Sequence, residues 1–118
     1  MKVRSFVWLG TRTDRYREMI DFLQGTLGFK IEHSDDQITA LTLPNGDRFE
    51  VFSPDEPDHT YFTTGPVAGF AVDDVDAARK ELMAAGVELL GDVESESGYA
   101  WQHFRAPDGN IYEITGRK

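Results

Sequence analysis

Apolar and polar positions along this chain change period several times, and each change marks an element. Residues 3–9 form a largely apolar run that reads as a strand ending at Gly10. From Asp14 the period lengthens. Tyr16, Met19, Ile20, Leu23 and Leu27 fall at i, i+3, i+4, i+7 and i+11, one continuous face, which predicts a helix over 14–26. Asp14 suits the N-cap, because its carboxylate can accept from the open amides of a first turn, and Gly25 and Gly28 supply the stop. Three strand-like pieces follow at 29–33, 38–43 and 48–52. The turn signals Ser34-Asp35-Asp36 and Pro44-Asn45-Gly46 separate them.

The second half repeats this order. Residues 67–72 read as a strand and Asp73-Asp74 leads into a helix over 75–85, whose buried face is Val75, Ala78 and Leu82 and whose end is Gly86. Strands follow at 87–90, 99–105 and 111–115, with Pro107-Asp108-Gly109 as the last turn. Asn45-Gly46-Asp47-Arg48-Phe49-Glu50-Val51 aligns without a gap onto Asp108-Gly109-Asn110-Ile111-Tyr112-Glu113-Ile114. The chain therefore reads as β-α-β-β-β written twice: a module over about 1–57, another over about 65–118, and a connecting segment at 58–64. At roughly 55 residues neither module buries a sheet face alone, so the two are expected to form a single domain.

Strand parity then sorts the side chains. Phe49, Val51, Gln102, Phe104, Tyr112 and Ile114 suit the face that the helices cover. Glu50, Phe52, Trp101, His103 and Glu113 are left for the opposite face, as candidate lining of a hollow. Trp8, Phe6 and Phe70 read as core. Tyr61 and Phe62 end the connecting segment, where a lip over the hollow or packing between subunits would use them.

Composition narrows the chemistry. The 118 residues are 40% apolar and 28% charged, an ordinary globular mixture with no apolar run long enough to span a bilayer. No signal peptide is read at the start, and a cytoplasmic protein is expected. Cysteine is absent, which excludes thiol catalysis, disulfides and thiolate metal sites. A net charge of −9 repels phosphate backbones, so no nucleic-acid role is expected; it suits a neutral or cationic ligand, with part of the acid in expected loops at 55–58 and 92–96. No phosphate-binding Gly-rich loop and no nucleophile elbow is present.

The phrase Phe104-Arg105-Ala106-Pro107-Asp108-Gly109-Asn110-Ile111-Tyr112-Glu113-Ile114 resembles the closing motif of the vicinal oxygen chelate superfamily, the group of glyoxalase I, extradiol dioxygenases and bleomycin resistance proteins. Phe22 to Leu27-Gly28-Phe29, Gly69 to Asp74, and Gly86-Val87-Glu88-Leu89 agree with it. The resemblance implies an α+β fold: two βαβββ modules making a strongly curved mixed sheet, an incomplete barrel around a cavity, with helices on the outer face, often in a homodimer. It also implies metal ligands on the first and last strands of each module. The last-strand places are Glu50 and Glu113. The first-strand places land near Val7 and Val67, and a shift of one or two residues reaches Ser5, Phe6, Trp8, Leu9, Ala68 or Gly69, none of them a normal ligand. Two carboxylates alone make a poor site for Zn, Ni or Fe(II), so no metal or other cofactor is expected, although a hard ion held mostly through water stays open.

The expected function is binding of a small organic molecule, cationic or aromatic, as in drug-sequestering resistance proteins of this fold. Glu50, Phe52, Tyr61, Trp101, His103 and Glu113 are the candidate ligand-binding residues. The alternative is a lyase, isomerase or oxygenase with an atypical metal set, or metal-free acid–base catalysis by Glu50, Glu113 and His103. A third reading has the cup filled by its own side chains and the role in association.

Overall fold

The structure is a computed structural model describing residues 1–118. Its elements run β1 (Ser5–Arg12), α1 (Tyr16–Asp21) continued by a π-helical turn (Phe22–Thr26), β2 (Lys30–Ser34), β3 (Ile38–Thr42), β4 (Arg48–Phe52), β5 (Val67–Ala71), α2 (Val75–Ala84), β6 (Glu88–Glu96), β7 (Tyr99–Arg105) and β8 (Ile111–Arg117). The mixed α+β class and the doubled β-α-β-β-β order expected from the pattern are both present. The chain gathers into two compact units, Trp8–Pro66 and Met1–Val7 with Val67–Lys118.

In the first unit the strands are hydrogen-bonded in the order β2-β3-β4-β1. β1 runs parallel to β4, with Gly10 beside Glu50, and β4 is antiparallel to β3, with Glu50 beside Ala40. The core is Tyr16, Ile20, Leu23, Leu41 and Val51, joined by Met19, Phe29, Ile31 and Phe49. This is the expected helix-covered face, with Phe49 and Val51 on it. Burial raises the Tyr16 phenol, whose hydroxyl meets Thr39 Oγ1 at 2.7 Å and donates to the Asp35 carbonyl at 2.9 Å.

Two helix details depart from the pattern. Thr13 Oγ1, not the Asp14 carboxylate, accepts from the first open amide, that of Arg15, at 3.0 Å. Leu27 leaves the apolar stripe and is 52% exposed. The cause is the π turn: the Leu27 amide donates to the Phe22 carbonyl, five residues back, and the extra residue per turn rotates everything after it off the 3.6-residue face.

The second unit orders its strands β5-β8-β7-β6, with β5 parallel to β8 and the other pairs antiparallel. Val72, Val75, Ala78, Ala100, Phe104 and Ile114 form its core under α2, with Phe70, Leu82 and Tyr112 against them. Asp74 caps α2 by accepting from the Ala77 amide at 3.0 Å. Gly116 is required by close approach, because a Cβ there would stand 2.3 Å from the Val72 carbonyl oxygen.

β6 corrects the expectation of a short strand at 87–90 followed by an acidic loop. It continues to Glu96, and 92–96 is part of it. Pairing with β7 outweighs the polar composition, and a bulge between Leu90 and Glu94 absorbs the irregular register. Gln102 makes the bulge tolerable. Fully buried, its amide nitrogen donates to the carbonyls of Leu90, Gly91 and His103, and its oxygen accepts from Arg79 Nε. β1 differs too: it starts at Ser5 and passes Gly10 to Arg12, held by the β4 ladder. Phe6, expected in the core, is 74% exposed, its ring 5.5 Å from that of Phe70.

Candidate functional site

Glu50 sits mid-strand in β4, between Gly10 on one side and Ala40 on the other. Two small neighbours leave its carboxylate without a side-chain wall in either direction. Trp8 supplies one. It lies two residues before Gly10, so it projects to the same face, and its indole Nε1 donates to Glu50 Oε1 at 2.6 Å. The ring lies across Gly10: a Cβ at that position would come within 2.3 Å of a Trp8 ring carbon. The bare backbone of Gly10 is what lets the indole reach Glu50.

Beyond Trp8 an aromatic cluster continues. The Phe52 ring stands 6.2 Å from Trp8, 4.9 Å from His59 and 5.4 Å edge-on to Phe62, and Tyr61 meets Phe62 at 5.2 Å. Phe52 and Phe62 are buried, while Trp8, His59 and Tyr61 are half-buried. The anchor beneath this cluster is Glu56, 2% exposed although its neighbours in sequence read as an acidic loop. Its carboxylate accepts from the Asp58 amide at 2.9 Å, the His59 amide at 3.0 Å, and Arg12 Nη1 at 3.3 Å, and it meets His59 Nδ1 at 3.1 Å. Arg12 Nη2 also donates to the Pro54 carbonyl at 2.7 Å. A buried carboxylate persists only with such partners.

In the second unit, Glu113 and His103 stand directly opposite each other on β8 and β7. His103 Nε2 is 3.0 Å from Glu113 Oε2, and the residues are 2% and 8% exposed. Trp101 shares the face but turns its Nε1 to Glu94 Oε2, at 2.5 Å.

The structure thus groups the sequence-derived candidates into two sets, Glu50 with Phe52 and Tyr61 in one unit, and Trp101, His103 and Glu113 in the other. It adds Trp8, Arg12, Glu56 and His59, none of which the sequence pattern selects as a site residue. For Trp8 a signal exists: strand parity puts it on the face of Glu50 once Gly10 is registered against that residue. No spacing in the sequence links Arg12 to Glu56.

A model of the Glyoxalase/Bleomycin resistance protein/Dioxygenase superfamily matches residues 5–114. The chain belongs to that superfamily. Solved structures agree in fold. A superfamily member from Vibrio splendidus 12B01 is 18% identical, with 98% of this chain and 99% of that one covered and a TM-score of 0.71. Methylmalonyl-CoA epimerase from Streptomyces coelicolor, in complex with 2-nitronate-propionyl-CoA, is 16% identical at 98% and 99% coverage, TM-score 0.72. The Mn(II)-bound glyoxalase from Novosphingobium aromaticivorans is 19% identical, with 98% of this chain but 39% of that one covered, TM-score 0.76. No curated protein matches the chain.

Against the superfamily resemblance the donor set can be tested directly. Glu50 registers with Gly10 and Glu113 with Gly69, so the first-strand positions two residues back are Trp8 and Val67. The register thus makes Trp8, not Val7, the counterpart of Val67. Neither carries a ligand atom, and no group of three or more His, Cys, Asp or Glu side chains is placed to hold a metal ion. These residues do not fit a transition-metal site of three or four protein ligands. No helix is long and apolar enough to cross a membrane.

Proposed function

We propose that this superfamily member binds a small organic molecule, cationic or aromatic, without a transition metal clasped by its glutamates, in the manner of drug-binding resistance proteins of the fold. One observation carries the reading: each of the twin glutamates already has a ring nitrogen from its own unit against it, Trp8 Nε1 on Glu50 and His103 Nε2 beside Glu113. A carboxylate so engaged keeps lone pairs for a ligand's N–H; the indole beside Glu50 is no metal ligand, and the one imidazole beside Glu113 leaves that pair short of the three or four ligands a transition metal takes. Half-buried Trp8 and Trp101 supply flat rings beside Glu50 and Glu94, the combination that favours a planar cation. Binding as a homodimer belongs to the same proposal.

The test is titration of tryptophan fluorescence with acridine orange, berberine and ethidium, against neutral aromatics of matched size. Saturable quenching by the cations is expected, weakened about tenfold or more in Glu50→Gln, a loss of roughly 1.4 kcal/mol. Equal response to the neutral compounds, or no saturable response, overturns it.

A second reading has an observation of its own. The His103–Glu113 pair is buried and closely spaced, the arrangement of a metal-free acid–base dyad in which Glu113 orients the imidazole. Turnover of a substrate with an acidic C–H, lost in both His103→Gln and Glu113→Gln, would place the chain among enzymes.

A further inference from the structure

A cleft of about 390 Å³ opens in the first unit where β1 ends and the connecting segment passes. Its walls include Arg12, Thr13, Asp14, Pro54, Phe62 and Thr63. That volume falls in the range of small-molecule sites. None of these residues belongs to the Trp8–Glu50 or His103–Glu113 pair, but Arg12 and Phe62 belong to the cluster beside Trp8, so the cleft adjoins that site, and Asp14, which lies outside the cluster, tells the two apart.

Three features set the chemistry of an occupant. The Arg12 guanidinium is already fixed in place, with Nη1 on Glu56 and Nη2 on the Pro54 carbonyl. Guanidinium carries five N–H donors in a rigid plane, so three remain beyond those two bonds, and little side-chain entropy is left to lose on binding. Asp14 stands exposed on the same cleft, its carboxylate not used to cap α1, which has no side-chain cap. Buried Phe62 and exposed Pro54 give an apolar wall, and Thr63 adds a hydroxyl.

The charges discriminate among ligand classes. A simple anion gains little, because the Arg12 charge is offset by Glu56 at 3.3 Å and Asp14 repels the newcomer. A simple amine meets only the exposed Asp14, where solvent screens the attraction. A molecule with a carboxylate and an ammonium a few bonds apart satisfies both walls at once, and adds no net charge to an acidic protein. We infer that this cleft is a binding site for a small zwitterion of the α-amino-acid type, with Arg12 taking the carboxylate, Asp14 the ammonium, and Phe62 with Pro54 the side chain.

The experiment is isothermal titration of the full chain with glycine, leucine and phenylalanine, beside the single-ended analogues 3-phenylpropionate and 2-phenylethylamine. Phenylalanine is expected to bind at least tenfold more tightly than either analogue, and leucine more tightly than glycine. Asp14→Asn, an exposed change that leaves the fold alone, is expected to remove the advantage of phenylalanine over phenylpropionate. Arg12→Lys keeps a cation for Glu56 but loses the planar fork and with it the bond to the Pro54 carbonyl, and is expected to weaken phenylalanine by tenfold at a temperature where the variant is fully folded. Absence of binding by all three amino acids at millimolar concentration overturns the inference. So does equal binding of the amine alone, or an Asp14→Asn protein that binds phenylalanine as the parent does.

Discussion

Replacing Glu56 by Ala removes the acceptor on which the connecting segment is built. The amides of Asp58 and His59, at 2.9 and 3.0 Å, lose their partner, and the guanidinium of Arg12, whose side chain is 13% exposed, loses its counter-charge. Breaking a buried ion pair from one side costs about 3–5 kcal/mol, and that figure already includes the stranded partner. At ~2.1 cal/mol/K per residue, a chain of 118 residues loses order worth roughly 250 cal/mol/K at its midpoint, so the melting temperature should fall by about 12–20 °C. Glu56→Gln keeps one oxygen, whereas the Asp58 amide bonds Oε1 and the His59 amide Oε2, so it surrenders the charge and one of the two acceptors and should cost about 1–3 kcal/mol. Urea titration of both variants, with the urea dependence held common, gives the values. The double change Arg12→Met with Glu56→Leu should recover the part of the loss that comes from the stranded guanidinium but not the part from the Asp58 and His59 amides, which stay without their acceptor. A Glu56→Ala protein within about 0.5 kcal/mol of the parent would mean that Glu56 is solvated, and the reasoning would fail.

Two other outcomes rest on local contacts. Gly10→Ala forces a Cβ to within 2.3 Å of the Trp8 ring and should expel the indole from Glu50, at a cost of about 1–3 kcal/mol for overpacking and with a red shift of emission in a Trp101→Phe background; unchanged emission would refute the contact. Asp35 is held down to about 2 by the amides of Ile38 and Gln37 and by His33, so its stabilisation is complete above the unfolded value of 3.8 and is lost as pH falls through about 2. Acid titration of Asp35→Asn should therefore show a flatter loss of stability between those two pH values than the parent, and parallel curves would contradict the assignment.

The alternation of Phe49, Glu50, Val51 and of Tyr112, Glu113, Ile114 is legible because a strand has period two, and a strand carrying one apolar face has one way to sit. The repeated phrase at 45–51 and 108–114 locates the last strand of each half. What escapes the sequence depends on contacts distant along the chain or on backbone geometry without a compositional mark. The π turn that expels Leu27 leaves no trace in hydrophobicity. Strand β6 hides in an acidic run because its partner, β7, supplies the order. Glu56 looks like loop acid, and only the fold brings Arg12, 44 residues earlier, to its carboxylate. Trp8 reads as core filler by its size, although its N–H is the part that matters at Glu50.

The most direct measurement is anomalous diffraction from crystals of the full chain soaked in Mn²⁺. Glu50 bonded to Trp8 and Glu113 against His103 predict that no ion is bound at either carboxylate through three or more protein atoms. A well-ordered anomalous peak coordinated by Glu50 or Glu113 together with two further protein ligands would contradict the account.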